Sequence, residues 1–572
     1  MKYQGIGASA GVVVAKIFRL EEVKITIRDD FKSAEAELQE LDRAFTFVAN
    51  DLENLITKLK KAENLEEAEI FLAHLEILKD PDTKALIENE IKANQLNAMQ
   101  ALDKTYNNYI TMFESMDDAY MRERAADLKD LRYKLLASLA NVKIFDLSQI
   151  SEDSILVAFD LTPSQTASLN LKHTLGFATN IGGRTSHSAI MARSLNIPAV
   201  VGLKDILENT KDGDTLALNG QSGEVIVNPN KEELERFAKD RAAYLEYLNT
   251  ILEYKGKAST TKDNFVVELA ANIGSPKDME GVINNDAEAV GLFRSEFLYM
   301  DANNWPTEEF QFQKYAEAIK KFNDPKRKMI IRTLDIGGDK TLNYFKFPEE
   351  LNPFLGYRAI RLTLEKKEVF KDQLRALIRA AQFGKLGIMF PMITNLPEFI
   401  EAKKFYEETY EELVKEKVTI GKKEDIEIGL MIETPAAAIL ADKFAKYADF
   451  LSIGTNDLIQ YSMAADRMNE HVSYLYQPLN PSILKFIKLT IDGGHKHGKW
   501  VGMCGEMAGD QNAIPLLLGL GLDEFSMSAS SILPARKLLS TLEKTKWEKI
   551  ATQALELENE EQVKQLLEKE LR

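Results

Sequence analysis

The chain has 572 residues, more than one compact core can organise, and a scale of roughly 100–200 residues per domain points to three or four domains, fewer if one is a barrel. It is 45% hydrophobic and 28% charged, the balance of an ordinary folded protein surrounded by water. Its 72 Lys and Arg stand against 89 Asp and Glu, a formal charge of −17 that disfavours nucleic acid and anionic lipid and suits a basic protein partner.

The first residues, MKYQGIGASAGVVVAK, lack the unbroken apolar stretch of a secretory signal. No apolar run approaches about 18 residues, so no membrane insertion is expected. Cys504 is the sole cysteine, which rules out an intramolecular disulfide and fits a cytoplasmic location.

From Val12 to Leu175 there is no glycine, and Pro81 and Pro163 are the only prolines. Leu38, Leu41, Phe45, Val48, Leu52, Leu55 and Leu59 recur at steps of three or four, which predicts helix. NLEEAEIFLAHLEILKDPD reads as a second helix, from an Asn cap to a stop at Asp-Pro. Residues 30–140 are therefore expected to form a helical bundle, either structural or a docking platform for a partner. Strand-like pieces bracket it: GVVVAKIF before, then DSILVAFD, TLGFATN, AVVGL and GEVIVNP. A small α/β domain, residues 1–29 and 141–230, interrupted by the bundle, accounts for that order.

GGRTSHSAIMARSLNIPAVVG, from Gly182 to Gly202, places His187 behind two glycines at a predicted helix start. A metal-ligand role lacks partners of suitable spacing. The glycines admit close approach of a ligand, Arg184 and the hydroxyls supply a cation and hydrogen bonds, and the helix start favours an anion. A neutral imidazole is a good nucleophile near pH 7, so the stretch reads as a phosphoryl relay on His187.

Leu234, Phe237, Arg241, Leu245, Leu248 and Leu252 mark a connecting helix, and residues 231–260 are expected to link the halves. At about 1.5 Å per residue, Glu232–Lys255 would span about 36 Å. Eight strand-like runs then alternate with amphipathic segments: VVELAANIG, AVGLFRSEFLY, KMIIRTLDIGG, GIMFPMI, IGLMIETP, FLSIGTNDL, WVGMCGEMA and EFSMSA. Residues 261–572 are expected to form a (β/α)₈ barrel, with a doubly wound sheet as the rival. The whole is thus a multidomain α/β chain.

Polar residues fall at the ends of these runs, where barrels of this kind place their chemistry. Arg294 and Glu296 follow the second run, Arg332, Asp335 and Lys340 the third, and Arg358 lies in NPFLGYRAIR. Glu433 ends the fifth run, Asn456, Asp457 and Arg467 follow the sixth, and Cys504 and Glu506 end the seventh. Several arginines at one rim imply an anion, because the guanidinium fork matches phosphate and carboxylate oxygens. Glu433 and Asp457 form a pair suited to Mg²⁺, which takes one or two carboxylates together with water and phosphate oxygens. Zinc is not expected, since no Cys/His cluster has the spacing. The ligand so described is small and carries both phosphate and carboxylate.

With these residues in hand, the chain resembles the enzyme I family of the phosphoenolpyruvate-dependent sugar phosphotransferase system. The likeness runs from GIGASAGVVVAK through GGRTSHSAIMARSLNIPAVVG to GLFRSEFLYM, RTLDIGGDK, NPFLGYRAIR, MIETPAAA, SIGTNDLIQY, GMCGEMAGD and GLDEFSMSA. It implies phosphorylation of His187 at Nε2, with Thr166 orienting the ring. Arg294, Arg332, Asn456, Asp457 and Arg467 would bind phosphoenolpyruvate, helped by Arg358 and Lys340, and Glu433 and Asp457 would hold Mg²⁺. Cys504 would protonate carbon 3 of the enolate to give pyruvate. The implied acceptor is the histidine-carrying protein HPr, docking on the helical insert, and the implied assembly is a homodimer through the barrel. The rivals are an ATP-linked pyruvate phosphate dikinase or phosphoenolpyruvate synthase, and a non-catalytic phosphoenolpyruvate sensor.

Overall fold

The computed structural model describes every residue except 21–24, 62–64, 115–118, 143–146, 148–149, 163–164, 167, 184–185, 196, 301, 338–341, 468 and 572; at His187 the backbone alone is described. Lys340 therefore lies outside the described residues. The chain forms two compact units, Met1–Leu248 and Asn249–Arg572, and the division falls within the helix Lys231–Leu252.

The first unit is built on eight strands: β1 (Lys2–Gln4), β2 (Ile6–Ser9), β3 (Val12–Leu20), β4 (Ser154–Ala158), β5 (Thr174–Thr179), β6 (Ala199–Val201), β7 (Thr215–Asn219) and β8 (Glu224–Val227). They lie in the order β1-β8-β7-β3-β4-β5-β6-β2. β3 pairs with β4 in parallel, which no tight turn can achieve, and the required crossover contains the helical bundle. β4 is buried along its whole length. Its alternation sends Ile155 and Val157 into one core and Leu156 and Ala158 into the other, so both faces of the sheet are covered.

The bundle between β3 and β4 comprises helices Ala34–Lys61, Leu65–Leu78, Pro81–Asn94, Ala98–Glu114 and Ala119–Leu139. Leu41, Phe45, Val48 and Leu52, read from the sequence as one stripe, are buried together with Ile87, Ile91, Leu102, Leu131 and Leu135. The Asn cap expected before Leu65 falls outside the described residues. Asp-Pro at 80–81 is a start as well as a stop: Pro81 opens the next helix, and the Asp80 carboxylate accepts from the N–H groups of Asp82 and Thr83.

The second unit is a closed barrel, which removes the doubly wound alternative. Its strands are β9 (Glu268–Ile273), β10 (Ala289–Arg294), β11 (Met329–Arg332), β12 (Leu386–Phe390), β13 (Ile426–Ile432), β14 (Phe450–Ile453), β15 (Trp500–Met503) and β16 (Glu524–Met527). All neighbours are parallel, and β16 pairs back to β9 through Phe525 opposite Leu269 and Met527 opposite Ala271.

Side chains fill the barrel in layers. Leu292, Ile330, Met389, Met431, Phe450 and Cys504 form an interior cluster against Trp500, separate from the larger core between strands and helices. At the end where the strands begin, Trp500 stacks on Phe450 with centroids 4.7 Å apart, and the Lys328 ammonium sits 3.5 Å from the Trp500 centroid. Such aromatic pairs contribute roughly 0.5–1.5 kcal/mol beyond their buried area. Lys328 also pairs with Glu268 at 3.1 Å and Glu524 at 3.6 Å, so this end is plugged and the opposite rim is left for chemistry.

Candidate active site

Strand register brings the first two arginines together. Arg294 is the last residue of β10 and lies opposite Arg332, the last residue of β11. Arg332 is buried and held from two sides: Nη2 donates to Glu296 Oε1 at 2.5 Å, and Nη1 is 2.8 Å from Asp335 Oδ2. The other Asp335 oxygen takes Arg358 Nη2 at 2.9 Å. Arg358 reaches on to Asp457 Oδ2 at 3.5 Å and donates to the Tyr461 hydroxyl at 3.2 Å. Gly337, at φ +120°, allows the loop to pass here, because a Cβ would lie 2.4 Å from the Arg358 Cβ. Burial alone would depress both guanidinium pKa values, but the carboxylates around Arg332 and Arg358 raise them above the ordinary arginine value.

Arg294 is different. Among the described residues its guanidinium has no hydrogen-bond or ion-pair partner, although it ends a strand beside the Arg332 network. A strongly cationic group left without a protein carboxylate is available to an incoming anion. Arg467 is only loosely engaged, with Nη1 3.9 Å from Asp457 Oδ1.

Glu433 stands one residue beyond β13 and is buried; its Oε1 accepts the Met392 N–H at 2.5 Å. Met392 takes the left-handed backbone region, φ +55°, to present that N–H. Burial pushes the Glu433 carboxyl up to about 8, Asp457 and Asp335 push the same way, and Arg332 and Arg358 oppose them. Asp457 Oδ1 is buried without a hydrogen bond. These two carboxylates are the donors here that could hold a hard cation. Among the described residues no group of three or more His, Cys, Asp or Glu forms a cage that could hold a metal, so water and substrate oxygens would have to complete the coordination.

Asn456 lies in the first turn of the helix Thr455–Met463, shortly after β14. Its Oδ1 accepts from the Tyr476 hydroxyl at 3.1 Å and from the Glu506 N–H at 3.4 Å. The backbone donor fixes which atom is oxygen, so the side-chain nitrogen is left to donate. Cys504 follows β15 and is buried in the interior cluster. Its sulfur lies 3.5 Å from Ser452 Oγ and 3.9 Å from the Ile453 carbonyl. Burial pushes the thiol up to about 11; Ser452, Arg332 and Arg294 work against that rise and Glu433 adds to it. Gly505 permits this approach of strand ends, since a Cβ there would meet Thr455 Oγ1 at 1.8 Å.

The barrel rim therefore gathers cations, a paired carboxylate site, an amide donor and a buried thiol. Comparison with known proteins gives this site a family. The PEP-utilising enzyme PEP-binding domain matches residues 251–544, the mobile domain 150–223 and the N-terminal domain 4–124. The chain is 50% identical to a phosphoenolpyruvate-protein phosphotransferase of Mycoplasma capricolum over 566 residues, 99% of this chain and 98% of that one. It is 50% identical to the Bacillus subtilis protein of the same name, covering 98% of each chain, and 51% identical to that of Enterococcus faecalis, covering 96% of each.

The chain belongs to the phosphoenolpyruvate-protein phosphotransferase family.

Within the phosphoenolpyruvate-protein phosphotransferase frame, the PEP-binding match contains every rim residue from Arg294 to Cys504, and the mobile-domain match contains His187. End-to-end likeness to phosphotransferases leaves the dikinase and sensor readings unfavoured. His187 opens the helix His187–Ser194 behind the cap Ser186, whose Oγ accepts the Ala189 N–H at 3.4 Å and donates to the Gly183 carbonyl at 2.8 Å. The Ser186 hydroxyl, read from the sequence as a free ligand group, is thus engaged in building the helix start. Thr166 is buried, and its Oγ1 donates to the Thr162 carbonyl at 3.2 Å.

The sequence reading passed over Ser452, Tyr461, Tyr476 and Met392. Ser452 left a trace, a hydroxyl at a fully buried position of the apolar strand FLSI. The tyrosines left none, because nothing in LIQYSM or SYLYQP distinguishes a site residue from a packing one.

Proposed function

We propose that this chain takes the phosphoryl group of phosphoenolpyruvate onto His187, releases pyruvate, and passes the group to the histidine of HPr. The observation that carries this reading is a chain of arginines at the barrel rim, Arg332 and Arg358 sharing Asp335 and Arg358 and Arg467 sharing Asp457, with Arg332 and Arg294 acting on the buried thiol of Cys504. Phosphoryl transfer needs positioning and charge neutralisation above all, and a rim of fixed cations provides both without reorganising during the step.

Arg294, whose guanidinium has no partner among the described residues, and Arg467 bind the phosphate. Arg332 and Arg358, immobilised on Asp335, supply the rigid part of the anion site. Asn456 donates its amide N–H to a substrate oxygen, and Lys340 belongs to the same group of helpers. The imidazole of His187 attacks phosphorus through Nε2 as the bond to the enol oxygen breaks, with Thr166 holding the ring. The enolate left behind takes the Cys504 proton at carbon 3. Asp457, beside Arg358 and Arg467, serves both this site and the metal.

The residues present fit Mg²⁺: among the described residues the buried Asp457 Oδ1 accepts no hydrogen bond, and Glu433 is a second buried carboxyl close enough to Asp457 for their charges to interact. Bound there, the ion would neutralise phosphate charge. The acceptor HPr docks on the helical insert, where the acidic chain meets a complementary basic face. The enzyme works as a cytoplasmic homodimer joined through the barrel. No helix among the described residues is long and apolar enough to cross a membrane.

The test is to mix the chain with phosphoenolpyruvate, Mg²⁺ and HPr and follow both pyruvate and phosphohistidine on HPr. Pyruvate and phospho-HPr in equal amounts are expected. Pyruvate formed without any phosphorylated protein would contradict the reading.

A further inference from the structure

Ser452 has no part in the scheme above, yet it makes one specific contact. It lies on β14, fully buried, and its Oγ–H donates to the Cys504 sulfur at 3.5 Å. Among the described residues no other partner is available to that hydroxyl. The register explains the approach: Ser452 pairs with Gly502 and Ile453 with Met503, and the Cys504 N–H continues the ladder to the Ile453 carbonyl at 3.1 Å. From β9, across β16, Asn272 Nδ2 donates to the Cys504 carbonyl at 3.1 Å while its Oδ1 accepts from Ser526 Oγ at 2.6 Å. Backbone and sulfur of this cysteine are thus both tied down from inside the barrel.

We propose that Ser452 is a positioning residue for carbon-3 protonation, holding the Cys504 sulfur by a hydrogen bond that strengthens as the thiol gives up its proton. The proposal rests on Cys504 being the acid of the reaction. In that step the S–H bond breaks and a C–H bond forms. The electron pair of the enolate carbon–carbon double bond takes the proton, the enolate C–O⁻ becomes the pyruvate carbonyl, and the S–H electron pair stays on sulfur as thiolate. Solvent then restores the proton.

A neutral thiol is a poor acceptor, whereas a thiolate is a strong one, so the Ser452 hydrogen bond becomes charge-assisted only as the proton leaves. A group whose hold tightens on the way to the transition state raises the rate rather than ground-state binding. The buried thiol needs such help: the charges facing it are Arg332 on β11, Arg294 on β10 and Glu433 beyond β13, and burial outweighs the two cations. Ser452 reaches sulfur from β14, inside the barrel.

Cys504 is the only cysteine, so alkylation by iodoacetamide reports on this sulfur with no background and without any substrate. In the full-length chain, Ser452→Ala is expected to slow alkylation about threefold or more across about pH 7–9, since lost thiolate is partly offset by greater intrinsic nucleophilicity. The same variant should slow exchange of pyruvate methyl protons with D₂O about tenfold, the effect of one charge-assisted hydrogen bond. Its phosphorylation by phosphoenolpyruvate should persist. Ser452→Thr, which keeps the hydroxyl on a β-branched frame suited to a strand, should return both rates toward wild type. Unchanged or faster alkylation in Ser452→Ala would overturn the proposal, as would a Thr variant no better than Ala. Loss of pyruvate exchange in the wild type, with the alkylation effect intact, would instead remove the role of Cys504 itself.

Discussion

Arg332 and Arg358 stand on opposite oxygens of a single carboxylate, that of Asp335, at 2.8 and 2.9 Å. The guanidiniums come from a strand end and from a later loop, so one acidic residue sets the spacing between two parts of the anion site. Removing one member of a buried ion pair typically costs about 3–5 kcal/mol. Asp335→Asn keeps the shape but not the charge, and its barrel unfolding transition in urea should fall by about 3 kcal/mol. A misplacement of about 1 Å in such a clamp costs on the order of a hundredfold in rate, the expected drop in phosphorylation kcat/KM.

Arg294 makes the opposite prediction. Its guanidinium has no protein partner among the described residues, so Arg294→Ala should leave the urea transition within about 0.5 kcal/mol of wild type. The rate of phosphorylation by phosphoenolpyruvate should nevertheless fall by about a hundredfold or more. A variant that unfolds early would show that this arginine supports the fold rather than the ligand.

The closed end of the barrel carries a pH dependence of its own. Burial pushes the Glu524 carboxyl up to about 8; Lys328 opposes the rise and Glu268 adds to it. Glu427, also raised by burial, lies in the same electrostatic cluster. Glu524 therefore keeps a proton in the folded barrel over a range where the unfolded chain has lost it. The folded state binds more protons, so this contribution to stability is full below the ordinary carboxyl pKa and is lost as pH climbs to about 8. Its slope is at most about 1.4 kcal/mol per pH unit. Glu524→Gln should flatten the wild-type decline in unfolding free energy between about pH 6 and 8. Parallel profiles for the two proteins would contradict this.

Arg536 is buried and gathers the start of the second unit. It donates to Asp286 Oδ2 at 2.6 Å, to the Asp286 carbonyl at 2.7 Å, to the Tyr254 carbonyl at 3.2 Å and to Ser259 Oγ at 3.1 Å. Arg536→Met fills similar volume but takes four hydrogen bonds away, leaving the part-exposed Asp286 carboxylate with the Gly256 N–H and the Tyr254 carbonyl with the Lys257 N–H, so a loss of about 1–3 kcal/mol is expected in the barrel transition. Hydrogen exchange should locate the loosening around Tyr254–Ser259.

Much of this architecture was legible in the sequence because it follows from periodicity. The stripe through Leu41 and Leu52 predicted the bundle, and eight apolar runs predicted the barrel strands. Closure was not legible, since the pairing of β16 with β9 joins residues more than two hundred positions apart and leaves no local signal. Rim residues such as Arg332 and Glu433 could be found because they interrupt apolar runs at strand ends. Their partners were harder to find: Tyr461 contacts Arg358 across about a hundred residues, and only the folded chain reveals the pairing. Met392 contributes a backbone N–H to Glu433, which no side-chain pattern can announce.

The central claim is that a phosphoryl group passes from phosphoenolpyruvate to the imidazole of His187. Labelled phosphoenolpyruvate and Mg²⁺ should leave an acid-labile, base-stable label on the wild-type chain and none on His187→Ala. Label of the same stability remaining on the His187→Ala protein would contradict the account.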